Sequence, residues 1–421
     1  MSEDKRHRVK EFFKDLGPGL ITGAADDDPS GISTYSIAGA QFGFSTLWTA
    51  LLSFPLMAVV QLMCARLGIV SGRGLASLIR TTYPRWVLFM ACFLLIVANV
   101  FNIGADLAGM GEVSEMLSGV SRYVWTPIFA ILIVALLIFA TYRQIVSVFK
   151  WLTLVLFAYV ITAFLVKPDW STVLYSTFVP HIEWTPAYIA VFVGLMGTTI
   201  SPYLFFWQAS QEVEEEKAKD KVAPEERENT TRTELRKARI DVVTGMFMSN
   251  LVMFFIILTT ATTLHLAGKS DVASAREAAE ALRPLAGDLC YAVFSLGIIG
   301  TGMLGVPVLA GSAAYAVSEA ENFRGSLEDK PDVSRRFYGV ITLAVLVGLM
   351  LVFLGVNPTK MLFYSAILNG VLAPPLIVLV ILLNGNKDIM GDNVASPFMK
   401  VVGWFTAALM SAAAIAMFVT M

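Results

Sequence analysis

The 421-residue chain is 56% hydrophobic and only 15% charged, with a mean hydropathy of +0.68, whereas a soluble domain carries about 25% charged residues. This composition excludes a water-soluble globular protein, and a net charge of −2 gives no basis for nucleic-acid binding. Repeated apolar runs of about 20 residues, each long enough to cross a hydrocarbon core as a helix, imply an all-α integral membrane protein rather than a barrel.

The opening residues, MSEDKRHRVKEFFKDLGPG, lack a short apolar core followed by a small-residue cleavage site, so no removable signal is expected. Eleven spans follow, at roughly 17–42, 46–69, 86–118, 124–142, 146–166, 186–211, 241–265, 286–318, 337–355, 361–383 and 399–420. With the N-terminus in the cytoplasm, 25 of the 31 Lys and Arg residues fall on the inner side. Only Arg122, Lys167, Lys269, Arg276, Arg283 and Lys360 fall outside, which is the expected bias of a plasma-membrane protein. An odd span count then puts the C-terminus outside.

Cys64, Cys92 and Cys290 lie in or beside apolar runs without CxxC pairing, predicting neither disulfides nor a thiolate metal site. His7, His181 and His265 are scattered and read as surface or interfacial residues. The polar insertion 212–241 mixes both charge signs and reads as a solvated cytoplasmic helix and loop. Segment 267–288 reads as a short amphipathic surface helix. Neither has the character of a domain, so residues 1–421 are read as a single transmembrane unit.

Two apolar runs are broken. The first carries DDDPSG and the sixth GTTISPYLF. Pro29 and Pro202 each lack an N–H and clash with the preceding turn, so each helix should stop before its proline. Asp28 and Ser201 precede the prolines as N-caps of new half-helices. The breaks lie 173 residues apart, which predicts two inverted five-helix repeats, about 15–170 and 185–385, plus an extra helix at about 399–420. Paired broken helices in inverted repeats mark a transporter's central site, because unwound backbone and half-helix dipoles can face an ion.

A carboxylate at a helix centre costs about 2.5–3.5 kcal/mol, so Asp26, Asp27 and Asp28 should not face lipid. Successive helical residues point about 100° apart, so the three cannot converge unless the chain unwinds. Asp28, at the break, is expected as the direct ligand of a cation, with Asp26 and Asp27 one shell out. Tyr203, Phe205, Phe206 and Trp207 follow the second break and could line a permeation path, with Tyr203 the vestibule candidate, although most of them read as packing residues. Gln208 is a vestibule or hydrogen-bonding candidate. Gly297, Gly300, Gly302 and Gly305 of GIIGTGMLG suit close helix packing.

The stretch GPGLITGAADDDPSGISTYSIAGAQFG resembles the first-helix signature of the Nramp divalent-metal transporters, in which an Asp-Pro-Gly-Asn motif forms an unwound metal site. The resemblance extends over nearly the whole chain, and the sixth-span break falls where that family has Met-Pro-His. It implies a LeuT-type fold of eleven or twelve spans with metal held between the first and sixth. Asp28 then matches the metal-binding aspartate and Ala25 a backbone-carbonyl ligand, while Gly31 stands in place of a coordinating asparagine. Thr198 matches a second carbonyl position, Ser201 replaces the ligating methionine, and Tyr203 replaces the histidine. Asp106 of NIGADLAGMGE matches an acid associated with proton passage, but Asn99 and Gly109 stand where its acidic neighbours would be. A tenth-span glutamine is missing, and Asn369 is the nearest amide.

These departures point to an ion. Thioether ligands favour soft metals, whereas Mg²⁺ takes hard oxygen donors and keeps several waters. Replacing asparagine by glycine should also widen the pocket. The pattern resembles the Nramp-related magnesium transporters. The expected function is uptake of Mg²⁺, with Mn²⁺ also accepted, by alternating access without obligatory proton coupling. A 100 mV potential supplies about 4.6 kcal/mol for a divalent ion. The alternative is a proton-coupled Mn²⁺/Fe²⁺ importer. An intramembrane aspartyl protease using Asp28 and Asp106 is disfavoured by the alanine of NIGAD, where such enzymes carry Gly-x-Gly-Asp. An amino-acid transporter is disfavoured because three acids would repel the substrate carboxylate. No enzymatic activity, cofactor or obligatory protein partner is expected; the partners are the transported cation and the lipid bilayer.

Overall fold

The computed structural model describes residues 17–140, 144, 154–218 and 232–420. His7, residues 219–231 of the polar insertion and 146–153 of the fifth expected span lie outside them. The first run is two half-helices, α1 (Pro18–Asp26) and α2 (Pro29–Phe42). The chain continues through α3 (Trp48–Ser71), a short α4 (Leu75–Thr82), the long α5 (Arg85–Ser118) and α6 (Arg122–Phe139). Next come α7 (Phe157–Leu165) and α8 (Trp170–Phe178). The sixth run is again split, into α9 (Pro186–Thr199) and α10 (Pro202–Ala218). After it stand α11 (Arg232–Thr260), α12 (Ala275–Ala279), α13 (Cys290–Ala320), α14 (Arg335–Val352), α15 (Pro358–Gly385) and α16 (Pro397–Thr420).

Among the described residues, nine segments are long and apolar enough to cross a membrane, counting Pro186–Lys217 as one. The broken first run is too short in either half to qualify, and the fifth is described only from Leu154. Large apolar side chains such as Phe93, Ile131, Phe139 and Val419 are exposed on the outside of the bundle, as a bilayer solvent permits. All three cysteines are free and buried.

The structure modifies three expectations about the connections. The polar insertion is partly an extension of its flanking helices, since α10 runs to Ala218 and α11 starts at Arg232. The segment 267–288 carries the short helix α12 with one face packed against α5 and α13 and Arg276 and Arg283 exposed on the other. Ala278, Ala279, Ala281 and Leu282 there are buried, and the Ala275 N–H donates to Glu112 Oε1 at 3.1 Å. Small side chains let this segment enter the bundle. Finally, α4 and α8 were not expected; α4 buries Leu75, Ala76, Leu78 and Ile79 along one face.

Close crossings bring the broken helices against their neighbours. Gly19 and Gly23 of α1 lie against the backbone of α11 around Val242 and Gly245, and a Cβ at Gly19, Gly23 or Gly245 would overlap the opposing main chain. Gly197 of α9 meets Ala366 and Gly370 of α15 in the same way. Small residues at such crossings allow backbone contact between membrane helices. The free N–H groups at the start of α1 are satisfied from α11. The Asp241 carboxylate accepts from Gly17 N at 2.9 Å, Gly19 N at 2.6 Å and Leu20 N at 3.1 Å, a negative charge at a helix N-terminus.

Candidate metal site

Both breaks fall immediately before the prolines, as expected from sequence. α1 stops at Asp26, Asp27 leaves the helix at φ −84° and ψ 49°, and Asp28 is extended at φ −69° and ψ 171°. In the sixth run α9 stops at Thr199 and Ile200 has φ −125° and ψ 59°. The C-terminal ends of α1 and α9, with carbonyls that lack an intrahelical N–H and a partial negative charge, therefore stand at the two breaks, which favours a cation there.

Asp28 is only 3% exposed. Its Oδ1 accepts from Ser30 Oγ at 2.6 Å and from Gly31 N at 2.9 Å, so it caps α2 as expected. Its Oδ2 accepts from Asn102 Nδ2 of α5 at 2.8 Å. Asp26 and Asp27 turn elsewhere. Both accept from the Ser249 hydroxyl of α11, at 2.6 and 3.2 Å, and both are buried. The three acids thus divide between two neighbouring helices. Among the described residues, no three His, Cys, Asp or Glu side chains converge as a metal-holding group, so neutral oxygens and water would supply most of the shell of a cation at Asp28, as hard ions allow.

Tyr203 joins the two breaks. Its hydroxyl, from α10, donates to the Ala25 carbonyl at the end of α1 at 2.9 Å. The Ala25 carbonyl keeps one lone pair for a cation. The Ser201 hydroxyl donates backward to the Gly197 and Thr198 carbonyls at 2.7 and 2.9 Å. It closes the end of α9, while Ser201 stands at the expected cap position before α10 with its carbonyl accepting from Leu204 N at 3.2 Å. A Cβ at Gly31 would meet the Asp26 carbonyl oxygen and the Tyr35 ring at 3.4 Å, an ordinary van der Waals contact.

Asp106 is fully buried on α5, and neither of its carboxylate oxygens has a hydrogen-bond partner among the described residues. Gly305 of α13 lies against the same point. A Cβ there would stand 3.2 Å from Asp28 Cβ, 3.8 Å from Asp106 Oδ2 and 4.0 Å from the Ala25 carbonyl oxygen. Gln208 lies toward the start of α1: its Oε1 accepts from Thr22 Oγ1 at 2.6 Å, and its Nε2 donates to Glu212 Oε1 at 2.8 Å. Asn369 is 1% exposed on α15 beside Gly370, with neither amide atom partnered among the described residues. Tyr203, Phe205, Phe206 and Trp207 are at most 1% exposed, as packing residues would be. His181 is exposed near Glu183, and His265 Nδ1 lies 2.9 Å from the Ala40 carbonyl, away from the breaks.

Sequence reading missed Asn102, Ser249, Tyr35 and the role of Gly305 as a wall of the site. Asn102 was visible in principle, one helical turn before Asp106 and so on the same face of α5. Ser249 carried no signal, since a lone serine in an apolar run commonly bonds its own backbone.

Residues 19–420 match the model of the family described as Nramp, natural resistance-associated macrophage protein-like. The divalent metal cation transporter MntH of Deinococcus radiodurans is 26% identical over 413 residues, covering 96% of this chain and 89% of that protein. The protein of the same description from Mesorhizobium japonicum is 27% identical over 412 residues, covering 95% and 87%. The crystal structure of the Eremococcus coleocola manganese transporter superposes with a TM-score of 0.78 at 18% identity, covering 98% of this chain and 87% of that one. MhsT in complex with L-phenylalanine superposes at 0.60 and 12% identity, covering 96% and 98%, which places the fold among LeuT-type transporters. With its family match running from the first broken helix to the last span, the chain belongs to the Nramp family of membrane metal-ion transporters.

Proposed function

We propose that the protein imports divalent metal ions across the plasma membrane by alternating access, with Mn²⁺ as cargo and protons as the coupled ion. The relatives described as divalent metal cation transporters, and the structural neighbour described as a manganese transporter, support this reading over the magnesium uptake expected from sequence. The observation that carries it is Asp28, a buried carboxylate at an unwound point between α1 and α2, facing the second break through the Tyr203–Ala25 bond. Asp106 supports coupling: its oxygens are unpartnered among the described residues and close to the same point. The N-terminus is cytoplasmic and the C-terminus external in this reading, and the repeats span about 15–170 and 185–385.

One observation favours a second reading, uncoupled uptake of Mg²⁺. The side chains named at the two breaks offer oxygen donors and no thioether or imidazole, a set that suits a hard ion. Proteoliposomes with a pH dye in the lumen separate the two. Acidification that tracks Mn²⁺ entry supports the first, and Mg²⁺ entry at constant lumenal pH supports the second. Asp28→Ala should abolish uptake of either ion while the protein still purifies as a monodisperse species. Uptake at the parental rate would remove Asp28 from the site and with it both readings.

A further inference from the structure

Asn102 stands on α5 and is fully buried. Its Nδ2 donates to Asp28 Oδ2 at 2.8 Å. An ionised carboxylate only accepts, so this bond fixes which end of the amide is nitrogen. The other end, Oδ1, has no hydrogen-bond partner among the described residues. An unpaired buried acceptor costs about 1–3 kcal/mol, and the deficit is relieved by anything positive that approaches. Nδ2 and Oδ1 hang on one carbon, so the free oxygen stays within a few ångströms of Asp28 Oδ2, a span that a cation with metal–oxygen distances of about 2.0–2.6 Å bridges.

The loading of Asp28 points the same way. Its Oδ1 already receives Ser30 and Gly31, whereas Oδ2 receives only Asn102, so the open lone pair lies on the α5 side. Asn99, one turn earlier on α5, also has an unpartnered Oδ1 among the described residues but is held elsewhere. Its Nδ2 is anchored to the Leu309 carbonyl at 2.8 Å and to Ser312 Oγ at 2.7 Å of α13, away from the Asp28 carboxylate.

We propose that Asn102 is a cation ligand: its amide oxygen completes the shell around a divalent ion held by Asp28, so that the third span supplies the neutral oxygen that Gly31 cannot. This rests on the reading of Asp28 as the metal-binding carboxylate. An amide oxygen is a hard donor, and its role is to favour Mn²⁺ and Mg²⁺ over soft ions such as Cd²⁺.

The test is calorimetric titration of the purified full-length protein with MnCl₂ and MgCl₂ at pH 8, comparing Asn102→Leu and Asn102→Asp. Leucine removes both the N–H bond to Asp28 and the ligand oxygen. Aspartate removes the N–H but keeps an oxygen. The expected result is affinity lowered by about 10- to 100-fold in Asn102→Leu, the range for removal of a group that supports a metal shell, and close to the parent in Asn102→Asp. If Asn102→Leu does not purify as a folded species, Asn102→Ala takes its place with the same expectation. Asn102→Asp falling with the apolar variant would show that only the bond to Asp28 mattered and would overturn the proposal, as would parental affinity in Asn102→Leu. Asp28→Ala runs alongside: loss of binding there with unchanged binding in the Asn102 variants refutes the ligand role alone, whereas intact binding in Asp28→Ala refutes the site itself.

Discussion

A methyl group at residue 305 is a small change aimed at the centre of the site. In Gly305→Ala the new Cβ would lie 3.2 Å from Asp28 Cβ and 3.8 Å from Asp106 Oδ2. Carbon–carbon contacts are optimal at about 3.5–4.0 Å, so α13 or the Asp28 side chain must give by several tenths of an ångström. Overpacking of this kind costs about 1–3 kcal/mol. Alanine within a helix returns up to about 1 kcal/mol relative to glycine, so the net stability change is small. If 1–2 kcal/mol of the strain is relieved by displacing the carboxylate, cation affinity falls by about 5- to 30-fold. The expected phenotype is therefore a folded protein, with a melting temperature near the parent's and a KM for Mn²⁺ raised by that factor. Uptake into proteoliposomes over a range of Mn²⁺ concentrations, with a thermal melt on the same preparation, measures both. An unchanged KM would refute the placement of Gly305 against the cation site. A collapsed melting temperature would show that the glycine serves packing alone.

Gly31→Asn combined with Ser201→Met should shift preference toward Mn²⁺ and Cd²⁺ and away from Mg²⁺, because an amide and a thioether replace backbone and hydroxyl at the two breaks. A Cβ at residue 31 is accommodated at ordinary contact distance from Tyr35, and an unchanged ratio of uptake rates among the three ions would count against the donor-set argument. Asp241→Ala removes the acceptor of three N–H groups at the start of α1, a loss of about 2–3 kcal/mol for a charged cap. Hydrogen exchange at Gly19 and Leu20 should then accelerate by about 30- to 150-fold at an equilibrium-opening limit. Protection equal to the parent's would show that α1 is held by its glycine crossing with α11 instead.

The sequence by itself determined the class and the breaks. Apolar runs of spanning length reflect the bilayer's demand that every backbone group be paired within its own segment. Pro29 and Pro202 each start a new half-helix behind a residue that can cap it, whereas Pro55, Pro127, Pro307 and Pro374 lie inside continuous helices, so proline marks a break without compelling one. Asp28 followed locally as well, because capping α2 needs only Gly31, three residues on. The tertiary structure decided everything that depends on what stands opposite. It sent Asp26 and Asp27 to Ser249, put the Tyr203 hydroxyl on the Ala25 carbonyl, filled the space beside Gly31 with Tyr35, and brought Asn102 and Gly305 to the carboxylate. Local chemistry marks where a chain can open, but the partners of a buried polar group come from helices distant in sequence, and their identity is set only when those helices pack.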